Sequence, residues 1–198
     1  MDKEVKKIIG LTAREIFLSL VDLPFGFYQN FEHPRHRSFR IDKLRFERKE
    51  ERQKFLNNVG YLLRKRMIRK FIQGKKEYIE LTKKGKKDAK IIIAKNFKII
   101  KPKKWDGKWR IVIFDIADKN KIARDILRGM LKRMNFYMLQ ESVFIHPFDS
   151  YNEVKYIVNL YKLGGSVRYL ISEIIEGEKD LINHFLKENI LTKNDLRK

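Results

Sequence analysis

Trp109-Arg110-Ile111-Val112-Ile113-Phe114-Asp115 is the strongest fold signal in the chain. It is a short, almost wholly apolar run of β-formers. Such a run suits a strand buried on both faces at the centre of a sheet. One carboxylate, Asp115, closes it. A polar turn, Ala117-Asp118-Lys119-Asn120, follows and leads into a long amphipathic pattern. An acid at the mouth of a central strand is either a metal or catalytic group or a polar residue that closes a turn.

Downstream, the spacing of Ile122, Ile126, Leu127, Met130, Leu131 and Met134 predicts a helix over 119–134. Residues 136–147 contain two strand-like pieces that read as a hairpin. Ser150 and Glu153 have the spacing of a capping box, and Val154, Ile157, Val158 and Tyr161 continue as a helix that Gly164-Gly165 ends. Residues 167–175 form a last strand and 178–187 a terminal helix, with the final dozen residues expected to be loose. The order β-α-β-β-α-β is that of a ferredoxin-like domain.

The 198 residues carry 46 Lys+Arg against 25 Asp+Glu, a net charge of +21. Residues 1–104 hold 30 basic and 12 acidic groups, and residues 105–198 hold 16 and 13. A basic half joined to a near-neutral half is the charge pattern of a polyanion-binding module with a partner domain, and nucleic acid is the expected ligand. There is no cysteine, so neither a disulfide framework nor a thiolate metal site is available. The charged first ten residues lack a signal-peptide pattern and no run reaches membrane-spanning length, which together predict a cytoplasmic protein without a membrane partner.

Upstream, Thr12-Ala-Arg-Glu15 is a capping box. Ile16, Phe17, Leu20 and Val21 continue as a helix over 13–23, before Pro24 and Gly26. Residues 25–40 mix five aromatics with His33, Arg35, His36, Arg37 and Arg40. They read as an irregular connection or a nucleic-acid-contacting loop, and the two histidines alone make no metal site. Ile41, Leu44 and Phe46 suggest a short helix. Phe55, Leu56, Val59, Leu62, Leu63 and Met67 then mark a long one over 51–66. Two β-like runs flank Gly74-Lys75-Lys76, which predicts a hairpin, and Thr82 opens another helix.

Helices followed by a basic hairpin resemble a winged helix-turn-helix domain. That resemblance implies a helix in the major groove and a wing on the backbone or minor groove. Arg52, Gln53, Asn57, Asn58 and Arg64 are then the DNA-facing groups of the helix, with Lys75, Lys76, Lys83 and Lys84 as phosphate contacts. Trp105-Asp-Gly-Lys-Trp-Arg110 running into Ile111-Val-Ile-Phe-Asp115-Ile116 behind such a domain is similar to the PaaX-like transcriptional repressors. Val112 to Asp118 together with Gln140-Glu-Ser142-Val-Phe144 also resembles the small CRISPR adaptation endonuclease, which the central domain of those repressors resembles in turn. The expected fold is therefore α+β: a winged helix over 1–100, a basic linker over 101–108 and a ferredoxin-like dimerisation domain over 109–198.

The resemblance implies a homodimer on double-stranded DNA. In the nuclease relatives the residue matching Asp115 comes from each subunit, and the pair holds one divalent metal. Mg²⁺ or Mn²⁺ on carboxylate oxygens would activate water for attack on a phosphodiester. Asp118 either assists that metal or caps the next helix. Ser142 reads as a hairpin hydroxyl, and His146 has no assigned role. Relatives that sense aryl thioesters carry a further C-terminal domain, so the small-molecule effector stays open. The preferred reading is a dimeric repressor that needs no cofactor. A metal-dependent endonuclease using Asp115 is the alternative, and an architectural nucleic-acid protein is the third.

Overall fold

The computed structural model describes residues 12–20, 38–41, 44, 46 and 48–196. The chain divides into two compact units, Met1–Ile93 and Ala94–Lys198. The boundary moves five lysines of residues 94–104 into the second unit, so the net charges are +13 and +8. The second unit is thus distinctly basic rather than near-neutral.

In the first unit, α1 (Ala13–Ser19) starts as its sequence predicts. The Glu15 N–H donates to Thr12 Oγ1 at 3.3 Å and the Thr12 N–H donates to Glu15 Oε2 at 2.8 Å. The remainder of the expected helix and the aromatic-basic loop with His33 and His36 fall on 21–37, outside the described residues. β1 (Ser38–Arg40) is three residues long, too short to leave a period-two pattern. Ile41, Leu44 and Phe46 lie in no helix; Phe46 instead packs its ring 5.6 Å from that of Phe55.

Helix α2 (Lys49–Arg64) buries Phe55, Val59 and Leu62. The chain then turns through Arg66, at φ 54°, into β2 (Ile68–Gln73) and β3 (Lys76–Leu81). The sheet order is β1-β3-β2, antiparallel throughout. Gly74 turns the hairpin at φ 62°, a region that favours glycine. Helix α3 (Lys83–Lys95) begins where the Gly85 N–H donates to the Thr82 hydroxyl at 2.9 Å, and that hydroxyl donates to the Arg66 carbonyl at 2.7 Å.

The second unit mixes helices with one antiparallel sheet. β4 (Trp109–Phe114) leads through a 3-10 turn at Asp118–Asn120 into α4 (Lys121–Arg133). β5 (Tyr137–Gln140), β6 (Val143–His146), α5 (Tyr151–Leu160), β7 (Val167–Ser172) and α6 (Glu178–Lys187) complete it. The antiparallel sheet has the order β5-β6-β4-β7, which puts β4 inside it. Alternation along β4 divides the two faces. Val112 and Phe114 are buried on one, with the Arg128 guanidinium of α4 6.0 Å from the Phe114 ring. Trp109 and Ile145 lie on the other, where they form a cluster with Trp105, Phe148, Leu181, Phe185 and Leu191. Fully burying a side chain such as Phe185 contributes about 2 kcal/mol.

The Trp105-to-Arg110 signature has a local physical cause. Asp106 Oδ1 accepts the Lys108 N–H at 3.0 Å, and Gly107 supplies the φ of 72° that the turn needs. The Arg110 guanidinium, 7% exposed, grips both oxygens of Asp106 at 2.6 Å and also donates to the Lys108 and Pro147 carbonyls. Trp105 and Trp109 then meet edge to face at 4.9 Å, and the Trp109 indole N–H donates to Glu178 at the start of α6.

Two local expectations are corrected. Ser150 begins α5 but caps nothing with its side chain; its hydroxyl pairs at 3.2 Å with the Tyr169 hydroxyl, 19 residues away. Asp149 Oδ1 accepts the Tyr151 N–H in its place. The end of the chain is also anchored up to the last described residues: Leu191 is buried, and Asp195 is paired with Lys101 at 2.7 Å while accepting from Thr192.

Candidate nucleic-acid interface

Helix α2 is pinned by three inward side chains and turns a polar surface outward. Gln53, Asn57 and Arg64 are exposed along one stripe at helical spacing, with the half-exposed Tyr61 between Asn57 and Arg64. Arg52 is exposed beside that stripe. Asn58 is only half-exposed, so it is the least available of the five predicted helix residues. The Gln53 amide donates to Asn57 Oδ1 at 2.9 Å, which orders two side chains of the kind that read adenine edges. Arg64 lies across Gly60, its guanidinium 3.4 Å from where a Cβ would stand. Tyr61 was not among the predicted contacts. Its sequence signal is its place four residues after Asn57, on the same face.

The hairpin sorts its charges by position. Arg69 pairs with Glu80, and Lys70 pairs with Glu77 at 2.8 Å, along the strands. At the tip, Lys75 and Lys76 are exposed and have no acidic partner among the described residues. Unpaired lysines on a short turn suit phosphate oxygens, which a compact ammonium charge on a flexible stem can follow. Lys83 is exposed at the start of α3. Lys84 is already engaged: its ammonium donates to the Lys65 carbonyl at 3.1 Å, closing the C-terminal end of α2.

Asp115 is placed by strand alternation. Phe114 and Ile116 are buried on either side of it, so its carboxylate turns outward. Its N–H donates to the Ser166 carbonyl at 2.9 Å and fixes the backbone there. The carboxylate has no hydrogen bond or ion pair with any described residue. Asp115 follows the parity of Ile111 and Ile113, and near it that face is open: Ile113 is 37% and Leu170 46% exposed. Asp118 is 92% exposed and pairs with Arg124 at 3.0 Å, without capping α4 through its side chain. Arg124 also donates to the Ile116 carbonyl. Ser142 sits in the turn between β5 and β6, where its carbonyl accepts the Phe114 N–H.

Among the described residues no three acids or histidines converge on a metal-sized site. One chain therefore offers a single free carboxylate at this edge. A carboxylate is the hard oxygen donor that Mg²⁺ or Mn²⁺ takes, usually one or two of them together with waters or phosphate oxygens.

No helix among the described residues is long and apolar enough to cross a membrane. Residues 102–182 match the family model described as the PaaX protein central Cas2-like domain. No curated protein matches the chain.

Proposed function

We propose that the protein is a dimeric DNA-binding transcriptional repressor of PaaX-like type, a reading supported by the match of residues 102–182 to the PaaX protein central Cas2-like domain. The first unit reads DNA and the second dimerises. The observation that carries this reading is the outward stripe of α2, Gln53-Asn57-Tyr61-Arg64, beside a hairpin whose tip lysines are unpaired. The β1-β3-β2 sheet and the helix-then-hairpin order support a winged helix. The β5-β6-β4-β7 order supports a ferredoxin-like partner domain. A second copy of the chain is the natural occupant of the open sheet face around Ile113 and Leu170. Two-fold symmetry pairs such a face with itself, and a repressor dimer then meets two half-sites.

Selection from a random duplex pool with the full chain tests this. Enrichment of a two-fold symmetric site is the expected result. A pool that stays random overturns the repressor reading in favour of architectural binding.

The free carboxylate of Asp115 favours a second reading, a metal-dependent endonuclease in which two Asp115 side chains meet. Bound metal would there lower the pKa of a water and neutralise phosphate charge. DNA or RNA cleavage with Mg²⁺ or Mn²⁺ that vanishes in Asp115→Ala would replace the repressor reading with this one.

A further inference from the structure

The second unit contains a cavity of about 370 Å³, at the lower end of the size range of small-molecule sites. Its wall holds three cations, Lys98, Lys101 and Arg133, and no acid. Asp195 neutralises Lys101. Lys98 and Arg133 have no acidic partner among the described residues. Arg133 lies in the last turn of α4, where a cation complements the helix dipole. That accounts for one charge and leaves Lys98 unexplained.

His146 supplies the independent observation. It is 2% exposed, yet it forms part of the cavity wall. The Phe148 N–H points at its Nδ1 at 3.0 Å, while the Phe148 carbonyl stands 3.3 Å from the same nitrogen; on the shorter contact, whose hydrogen is fixed on the backbone amide, we assign Nδ1 as the acceptor. Burial lowers its pKa to about 4, so the ring is neutral and its one proton sits on Nε2. Nε2 has no hydrogen-bond partner among the described residues, so in a residue that lines the cavity it is the ring nitrogen left for a ligand. The rings of Phe136, Phe148 and Phe185, 5.1–5.9 Å away, hold the imidazole in place. A rigid N–H donor beside two unpaired cations is an anion site. Ile99, Met134, Phe148 and Ile190 supply an apolar part of the wall, and Asn135 and Asn189 complete it with two polar residues.

We propose that this cavity binds a small organic anion, whose carboxylate or phosphate oxygens meet His146 Nε2–H, Lys98 and Arg133 while an apolar body packs on Ile99, Phe148 and Ile190. The site lies wholly within the second unit and does not depend on the DNA-binding reading.

The test is NMR titration of the ¹⁵N-labelled full chain, read at the His146 Nε2–H resonance. The probes are benzoate, phenyl phosphate, inorganic phosphate, benzyl alcohol and a short DNA duplex. Benzoate or phenyl phosphate is expected to shift the resonance saturably, and which of them binds more tightly identifies the anionic head. The exposed double variant Lys98→Gln/Arg133→Gln should weaken binding by about tenfold or more, because two charge-assisted contacts are lost. Benzyl alcohol, which lacks the charge, should leave the resonance in place. The proposal is overturned by an absent saturable shift, or by equal affinity in the double variant. Inorganic phosphate binding as tightly as phenyl phosphate would remove the apolar half of the site. A shift produced by the duplex and by neither organic anion would reassign the cations to nucleic acid.

Discussion

His146 sits among three phenylalanine rings, and the desolvation that lowers its pKa to about 4 makes it an acid-sensitive group. In the unfolded chain the ring takes up a proton near its ordinary value of 6.5, while in the folded chain it does not. The unfolded state then binds more protons between those values, so stability falls as pH drops from about 6.5 towards 4 and this loss is complete below that. The full loss is about 3 kcal/mol. His146→Gln should flatten the window in urea unfolding followed at several pH values, and an unchanged slope would contradict the assignment. Asp106 acts at lower pH. Its hydrogen bonds from Arg110 hold its carboxyl below the usual 3.8. The stability it contributes is present above that value and is lost as pH falls through the lowered one.

Gly85 makes a second residue-scale prediction, of steric origin. A Cβ there would stand 1.9 Å from the Met67 carbonyl oxygen, which is backbone and cannot swing aside. Gly85→Ala should cost about 2 kcal/mol or more, read as a lowered melting temperature of the first unit. These residues also mark what sequence makes visible. The Thr12–Glu15 box spans three residues and forms as read. Ser150 has the same local spelling and fails, because a partner 19 residues away takes its hydroxyl. The Lys101–Asp195 pair and the His146 cavity join positions far apart in the chain, and no spacing rule reaches them.

Among the elements, α2 and the β2–β3 hairpin have separable tasks in the repressor reading. Asn57 is ordered by Gln53 and faces outward, as a base contact requires. Asn57→Ala should cost about 1–3 kcal/mol on the preferred site and relax preference at one position. Lys75→Ala should weaken binding to all sequences alike and reduce the slope of log K against log salt by about 1. Fluorescence-anisotropy titrations over a salt series, on matched and scrambled duplexes, measure both. Loss of base preference from Lys75→Ala alone would defeat this division. The long elements were legible because their patterns are strong: three inward residues at helical spacing on α2 and an almost unbroken apolar run of β-formers on β4. The three-residue β1 was not, since a strand that short is defined by its pairing to β3 rather than by its own pattern.

For the whole molecule, the division after Ile93 changes the charge argument. The lysines of 94–104, expected mainly as linker, belong to the second unit, and Trp105 from the expected linker is buried in its core. Net +13 and +8 leave both units attractive to polyanions. The proposed dimer would double that field, so association with DNA should be fast at low salt and slow steeply as salt rises. Stopped-flow association rates that ignore salt would contradict it.

The edge-to-face pair of Trp105 and Trp109 has a consequence for the optics of the protein. These are both of the chain's tryptophans, and both lie in the second unit. Emission excited in the indole band is therefore blind to unfolding of the first unit, whereas helical circular dichroism registers both. If the two units melt separately, the two signals will give displaced thermal transitions; superimposed curves would mean that one cooperative event carries the entire chain.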